Sequence, residues 1–205
     1  DVVSKVTCSE KYVLEGTGKK VALLDLGAKN NIAKSLNQRG CEVTVYPATQ
    51  LQKRSFHRIL TESCCQTALE TRQTAPLLLK KSKIVQYRYS DLCNLLGHQL
   101  MALATGATTH KLKYGHRGGN HPVKDLQTNR VYISSQNHGY VVDAENVDPN
   151  VAVPAFTNVN DGTNEGLAYV GKNIFTVQFH PEACPGPQDS GYLFDRFIEM
   201  MGGAK

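Results

Sequence analysis

Residues 21–47 constrain the fold more than any other stretch of this chain. VALLDLG (21–27) is a continuous apolar run closed by glycine, the pattern of a strand buried on both faces of a parallel sheet. Lys29 to Arg39 places Ile32, Ala33 and Leu36 on one helical face and stops at Gly40. CEVTVYP (41–47) alternates as a second strand. Strand, helix and strand within 30 residues make a βαβ unit, so the fold class is α/β. No G-x-G-x-x-G follows the first strand, and a dinucleotide site is therefore not indicated.

Order of the same kind returns after residue 95. LGHQLMALATGA (96–107) carries Leu96, Leu100, Leu103 and Ala104 on one face and ends at Gly106, a buried helix. The glycine-rich KLKYGHRGGNHPV (111–123) reads as a loop or hairpin. VYISSQNHGYVVD (131–143) reads as a strand, a turn at Asn137-His138-Gly139 and another strand. Further strands follow, with turns at Asn160-Asp161-Gly162 and at Gly171. Asp189 is placed to cap a last helix whose Leu193, Phe197, Ile198 and Met201 form one stripe. Residues 1–20 are mixed and polar and read as a linker from a missing N-terminal domain, ahead of one domain over 21–205. Residues 51–94 hold no sustained period, and no strands can be drawn there from pattern alone.

The bulk numbers exclude more than they assign. Forty per cent hydrophobic and 20% charged residues over 205 positions describe a domain with a real core. A net charge of +5, scattered rather than striped, gives nucleic-acid binding little support. The apolar runs are too short to span a bilayer. Six cysteines without C-x-x-C pairing fit free thiols in a reducing cytosol, hence a cytoplasmic protein. His98, His116, His121 and His138 match no zinc spacing and read as loop or packing histidines, with no metal.

The chemistry concentrates in NIFTVQFHPEACPGP (173–187). Ile174, Phe175, Val177 and Phe179 form a buried strand that Pro181 terminates. His180 and Glu182 project to one side of the extended chain at that strand's carboxyl end, placed as a general base and the carboxylate that orients it. By itself the tripeptide also describes a surface pair at a strand end.

Together, VALLDLGAKNNIAKSLNQRGCEVTVYP, LGHQLMALATGATTHKLKYGHRGGNHPV, SSQNHGY and FTVQFHPEACPGPQDSGYLFDRFIEMM resemble the class I (triad) glutamine amidotransferases. The GHRGGNHPV and HPEACPGP contexts are most similar to the C-terminal domain of the carbamoyl-phosphate synthetase small subunit, over residues 1–50 and 96–205. The resemblance implies an open, mostly parallel, flavodoxin-like sheet flanked by helices, with an antiparallel section. It implies glutamine hydrolysis, with ammonia passed to a large synthetase subunit for arginine and pyrimidine biosynthesis. The domain itself would need no cofactor, ATP and magnesium being used by the large subunit. Carried over by motif position, His180 is the base and Glu182 its orienter. Gln99, Asn137, Gly139 and Tyr140 line the glutamine pocket, and the Leu96 amide helps form the oxyanion hole.

The chain departs from that pattern where the nucleophile belongs. The family's elbow reads G-x-C-x-G-H-Q; here Gly97, His98 and Gln99 are kept and the nucleophile position is Leu95. Cys93, two residues upstream, is a poor substitute, because the offset moves the thiol off the turn. The family's glycine-rich oxyanion loop is also missing, from the same anomalous stretch. One cause accounts for both losses: a frame-shifted translation. With suitable synonymous codons, ILTESCCQTALETR read from its third nucleotide becomes FDGIMLSNGPGDP, and QYRYS becomes IPIFG, the family's missing segments. The expectation is an amidotransferase domain that does not hydrolyse glutamine as written. The alternative is a non-catalytic module of the same fold that binds a synthetase partner.

Overall fold

The computed structural model describes residues 3–49, 64–68, 91–183 and 186–202, and of residues 64–68 the backbone alone. The expected βαβ unit forms first. β2 (Lys20–Leu26) runs parallel to β3 (Glu42–Pro47), and α2 (Asn30–Gln38) crosses between them. Ile32, Ala33 and Leu36 are the buried face of α2, as their spacing requires. A short helix α1 (Val3–Val6) precedes β1 (Tyr12–Leu14), which pairs antiparallel to β3 at the sheet edge. Part of the segment read as a linker is thus built into the sheet.

Ten described strands form one mixed sheet in the order β1-β3-β2-β4-β5-β10-β9-β8-β6-β7. β4 (Cys64–Ala68), β5 (Asp91–Asn94) and β10 (Ile174–Val177) extend the parallel part. β9 (Asn164–Tyr169), β8 (Ala152–Asn158), β6 (Thr109–Asp125) and β7 (Arg130–Val142) continue it antiparallel. β4 and β5 correct the reading of 51–94 as a stretch where no strand can be drawn. Both lie between ordered strands, where pairing partners on each side supply the ladder and local pattern is not needed. The rest of the frame-shift reading, residues 59–63, 69–72 and 86–90, lies outside the described residues.

Two further expectations are corrected. Residues 111–123 are neither loop nor hairpin but part of β6, and Asn137-His138-Gly139 is not a turn but the middle of β7. The two strands pair through His116↔His138 and Arg117↔Asn137, so tertiary pairing overrides the turn propensity of N-H-G. The glycines serve elsewhere: Gly115 (φ 73°) and Gly118 (φ 129°) sit at the two register irregularities of β6, in backbone shapes that a Cβ disfavours.

Alternation of side chains divides the core into two layers. Leu92, Phe175 and Val177 pack with α2 and with Leu193, Phe194 and Phe197 of the last helix, α4 (Tyr192–Met201). Cys93 and Ile174 pack with Met101 and Ala102 of α3 (Leu96–Ala104) in the other layer. Asp189 does not cap α4. It lies in a 3₁₀ turn, residues 189–191, that leads into the helix, and its carboxylate accepts the Ile133 N–H at 3.3 Å.

Candidate active site

β5 and β10 are parallel neighbours, registered Asn94↔Val177, so the chain leaves both at the same edge of the sheet. In open α/β sheets that carboxyl edge is where ligands bind. Each exit carries one half of the expected chemistry.

At the β5 exit the backbone turns sharply into α3 at Leu95, with φ 51° and ψ −113°. Positive φ at a bulky residue is a rare and strained shape. The turn is held from both sides, by the Leu95 N–H donating to the Val177 carbonyl at 2.9 Å and the Gln99 N–H donating to the Leu95 carbonyl at 3.2 Å. This is the geometry of a strand-to-helix elbow that exposes a nucleophile above a sheet. Leucine occupies it, 8% exposed. Leu96 is the first residue of α3, so its N–H belongs to the unpaired group at a helix start. Cys93 is inside β5, fully buried and paired in register with Thr176.

At the β10 exit, His180 Nδ1 donates to Glu182 Oε1 at 2.6 Å. Both residues are 7% exposed. The Nδ1 bond fixes the ring's orientation and leaves Nε2 to accept a proton. Burial pushes the Glu182 carboxyl up, but the His180 hydrogen bond and charge, a backbone bond and Lys29 outweigh it and hold the group below the usual carboxylate range. Lys29 Nζ lies 3.5 Å from Glu182 Oε1. The His180 N–H donates to the Ser135 carbonyl at 2.9 Å, which ties this exit to β7.

The residues assigned to a glutamine pocket converge only in part. Gln99 Nε2 donates to the Tyr140 carbonyl at 3.1 Å and to Gln178 Oε1 at 2.9 Å, joining α3, β7 and the residue that follows β10. Asn137 alternates with buried His138 along β7, so its exposed side chain projects to the face opposite that ring, while Gly139 is buried. Lys29 and Gln178 were not found by sequence reasoning. Lys29 had a usable signal, as the first charged residue after a glycine-closed strand at the sheet's carboxyl edge.

The four histidines serve different surroundings. His98 is buried on α3, its Nδ1 2.8 Å from Thr176 Oγ1, and burial lowers its pKa to about 3. His116, His138 and Glu165, distant in sequence, bring ligand-type atoms within 4.8 Å of one another. His121 stands against this group, its ring centroid 5.2 Å from that of His116.

A mixed α/β sheet with a strained elbow and a His–Glu pair at adjacent strand exits describes one class of protein, and the comparisons agree with it. The family model for class I glutamine amidotransferases matches residues 22–200, and the chain belongs to that family. Within it, the chain is homologous to carbamoyl phosphate synthase small chains. It is 45% identical to that of Symbiobacterium thermophilum over 97% of this chain and 55% of the relative. It is 44% identical to that of Clostridium perfringens over 97% and 56% respectively. The chain thus spans little more than half the length of these relatives. Among solved structures, a putative GMP synthase protein from Thermoplasma acidophilum shares the fold at TM-score 0.75 and 18% identity, covering 92% of this chain and 96% of that one. A glutamine amidotransferase from Thermotoga maritima does so at TM-score 0.64 and 17% identity, covering 89% and 82%. No described helix is long and apolar enough to cross a membrane.

Proposed function

We propose that this chain is the amidotransferase half of a carbamoyl-phosphate-synthase small chain, one that binds glutamine without hydrolysing it. The observation that carries the reading is the juxtaposition of a 2.6 Å His180–Glu182 pair with an elbow occupied by leucine. In the covalent route a thiol at the elbow gives its proton to the histidine and attacks the side-chain amide carbon, and the histidine then protonates the departing ammonia. Here His180 would serve as base and acid and Glu182 as its orienter. Gln99, Asn137, Gly139 and Tyr140 would hold glutamine, and the Leu96 N–H would face the developing oxyanion. A leucine side chain has no proton to give and no lone pair to attack with, so the first step has no reactant at Leu95. The partner on this reading is a large synthetase subunit, which would then draw on free ammonia.

Calorimetric titration with glutamine, run beside a glutaminase assay, tests this. Saturable binding with no turnover is the expected result, and turnover at the rate of a cysteine-bearing relative would sink it. Mass spectrometry of a tryptic digest of the native protein addresses the frame-shift expectation. ILTESCCQTALETR identifies the chain as written, whereas a peptide containing SNGPGDP would restore an ordinary glutaminase.

A further inference from the structure

On the His138 face of β7, opposite Asn137, lies a buried polar cluster that the proposed reaction does not use. His116 Nδ1 is 3.0 Å from Glu165 Oε1 and 3.1 Å from His138 Nε2, and His116 Nε2 is 2.8 Å from Asp161 Oδ2. The Glu165 and His138 side chains are fully buried, and that of His116 is 9% exposed. Asn158 Nδ2 also donates to Glu165 Oε1, at 3.3 Å, and Gln136 Oε1 lies 3.1 Å from His138 Nε2.

Counting protons decides the charge state. His138 Nδ1 stands 2.9 Å from the Tyr140 carbonyl, which can only accept, so Nδ1 carries a proton. His116 Nε2 faces the Asp161 carboxylate, which again only accepts, so that nitrogen carries a proton too. His116 Nδ1 then faces the Glu165 carboxylate and His138 Nε2, a nitrogen that also has the Gln136 side-chain amide beside it. Without a further proton only acceptors would meet here. The Glu165 carboxylate draws that proton to His116 Nδ1, 3.0 Å away, rather than to His138 Nε2, 3.7 Å away, with the Gln136 amide turned to donate to His138. With that proton, one N–H is shared between Glu165 and His138, and a buried cation is bracketed by two carboxylates.

The consequence travels along a chain of hydrogen bonds. The carbonyl that accepts from His138 Nδ1 is the one that accepts from Gln99 Nε2. We propose that His116 is a positioning residue that carries its charge at neutral pH: paired with Glu165 and Asp161, it fixes His138 in the Nδ1–H form that pins the Tyr140 carbonyl and so sets the β7 wall of the glutamine site. This rests on the glutamine reading above. The hydrogen bond to Glu165 is foremost among the influences that raise the His116 pKa, to about 9, against burial, which lowers it; Asp161 adds to the rise. Glu165 carries the reciprocal effect, held below its ordinary value by His116 and His138 although burial raises it.

Histidine-ring NMR of isotopically labelled protein tests the assignment, followed by glutamine titration of Glu165→Gln and Glu165→Asp. We expect His116 doubly protonated at pH 8 and His138 as the Nδ1–H tautomer. E165Q should bring His116 into the ordinary histidine range, shift the His138 tautomer and weaken glutamine binding by about tenfold. E165D, which keeps the charge, should restore most of both. A merely structural role would lower the stability of E165Q and E165D alike without this split. His116 titrating at an ordinary value in the unmodified protein overturns the proposal, as does an unchanged His138 tautomer in E165Q. Stoichiometric zinc uptake that strips the His116 ring protons overturns it in favour of a metal site. If the unmodified protein shows both ring signatures and binds no glutamine, the glutamine reading fails, and the tautomer shift in E165Q still decides whether His116 fixes the Tyr140 carbonyl.

Discussion

The two strand exits at the active edge keep opposite things. At the β10 exit the His–Glu pair expected of the chemistry is present, His180 on Glu182 at 2.6 Å, on a turn that begins at Pro181. At the β5 exit the geometry is present, φ 51° at the elbow, and the chemistry is absent, because the residue is leucine. The difference teaches that an elbow's shape does not depend on the side chain it displays. It is imposed by β5 pairing with β10 on one side and α3 packing through Met101 and Ala102 on the other. The His–Glu pair, by contrast, consists of its side chains and has no meaning without them.

The largest expected effect tests that asymmetry by rate. Loss of a nucleophile in a triad costs on the order of a million-fold in kcat, so glutaminase activity should be at background. Leu95→Cys alone should leave it there, since a thiol on a correct elbow still lacks the family's glycine-rich oxyanion loop. Recovery of turnover in L95C would break the comparison and end the frame-shift account with it.

Next in size is a packing test. Met101 is 2% exposed behind the elbow, and Met101→Ala should lower unfolding stability by about 2–4 kcal/mol, measured by urea denaturation. Glutamine binding should weaken in parallel, because α3 carries Gln99. A stable M101A with unchanged binding would show that the elbow is held by something other than packing.

The smaller effect belongs to the chemical exit and depends on pH. Glu182 has a depressed folded pKa, so its contribution is present above its ordinary carboxylate pKa and lost as pH falls through the depressed value. Glu182→Gln should cost about 1–3 kcal/mol at neutral pH, and the difference from the unmodified protein should shrink on acidification. A constant difference across that window would mean that the charge of Glu182 is not what holds His180.

The cluster around His116 adds a signature of the reverse sign. Its raised folded pKa contributes stability that is complete below about 6.5, the ordinary histidine value, and lost as pH rises through about 9. Thermal melts from pH 6 to 10 should therefore show an alkaline decline that E165Q flattens.

What could be read in advance follows a physical division. The 21–47 unit and the α3 pattern were legible from residues alone, because hydrophobic period and glycine stops are local signals, whereas the roles of the His–Glu exit and of the leucine at the elbow were legible only through the family resemblance. β4 and β5 were not, since both are held by neighbours distant in sequence. The N-H-G of β7 carries a turn signal yet lies in a strand for the same reason, its backbone being claimed by β6 at His116↔His138. Asp189 had a capping residue's chemistry but found its partner on β7, at Ile133.

The sequence by itself determined the fold class and the nearness of His180 to Glu182, because these depend on residue identity and short spacing, and its resemblance to the family marked Leu95 as the position where a nucleophile is expected. Only the tertiary structure decided that Leu95 keeps a strained elbow and that Lys29 reaches Glu182. It alone brought His116, His138 and Glu165 from three strands around one proton, since distances across a sheet arise from strand order, which no local pattern encodes.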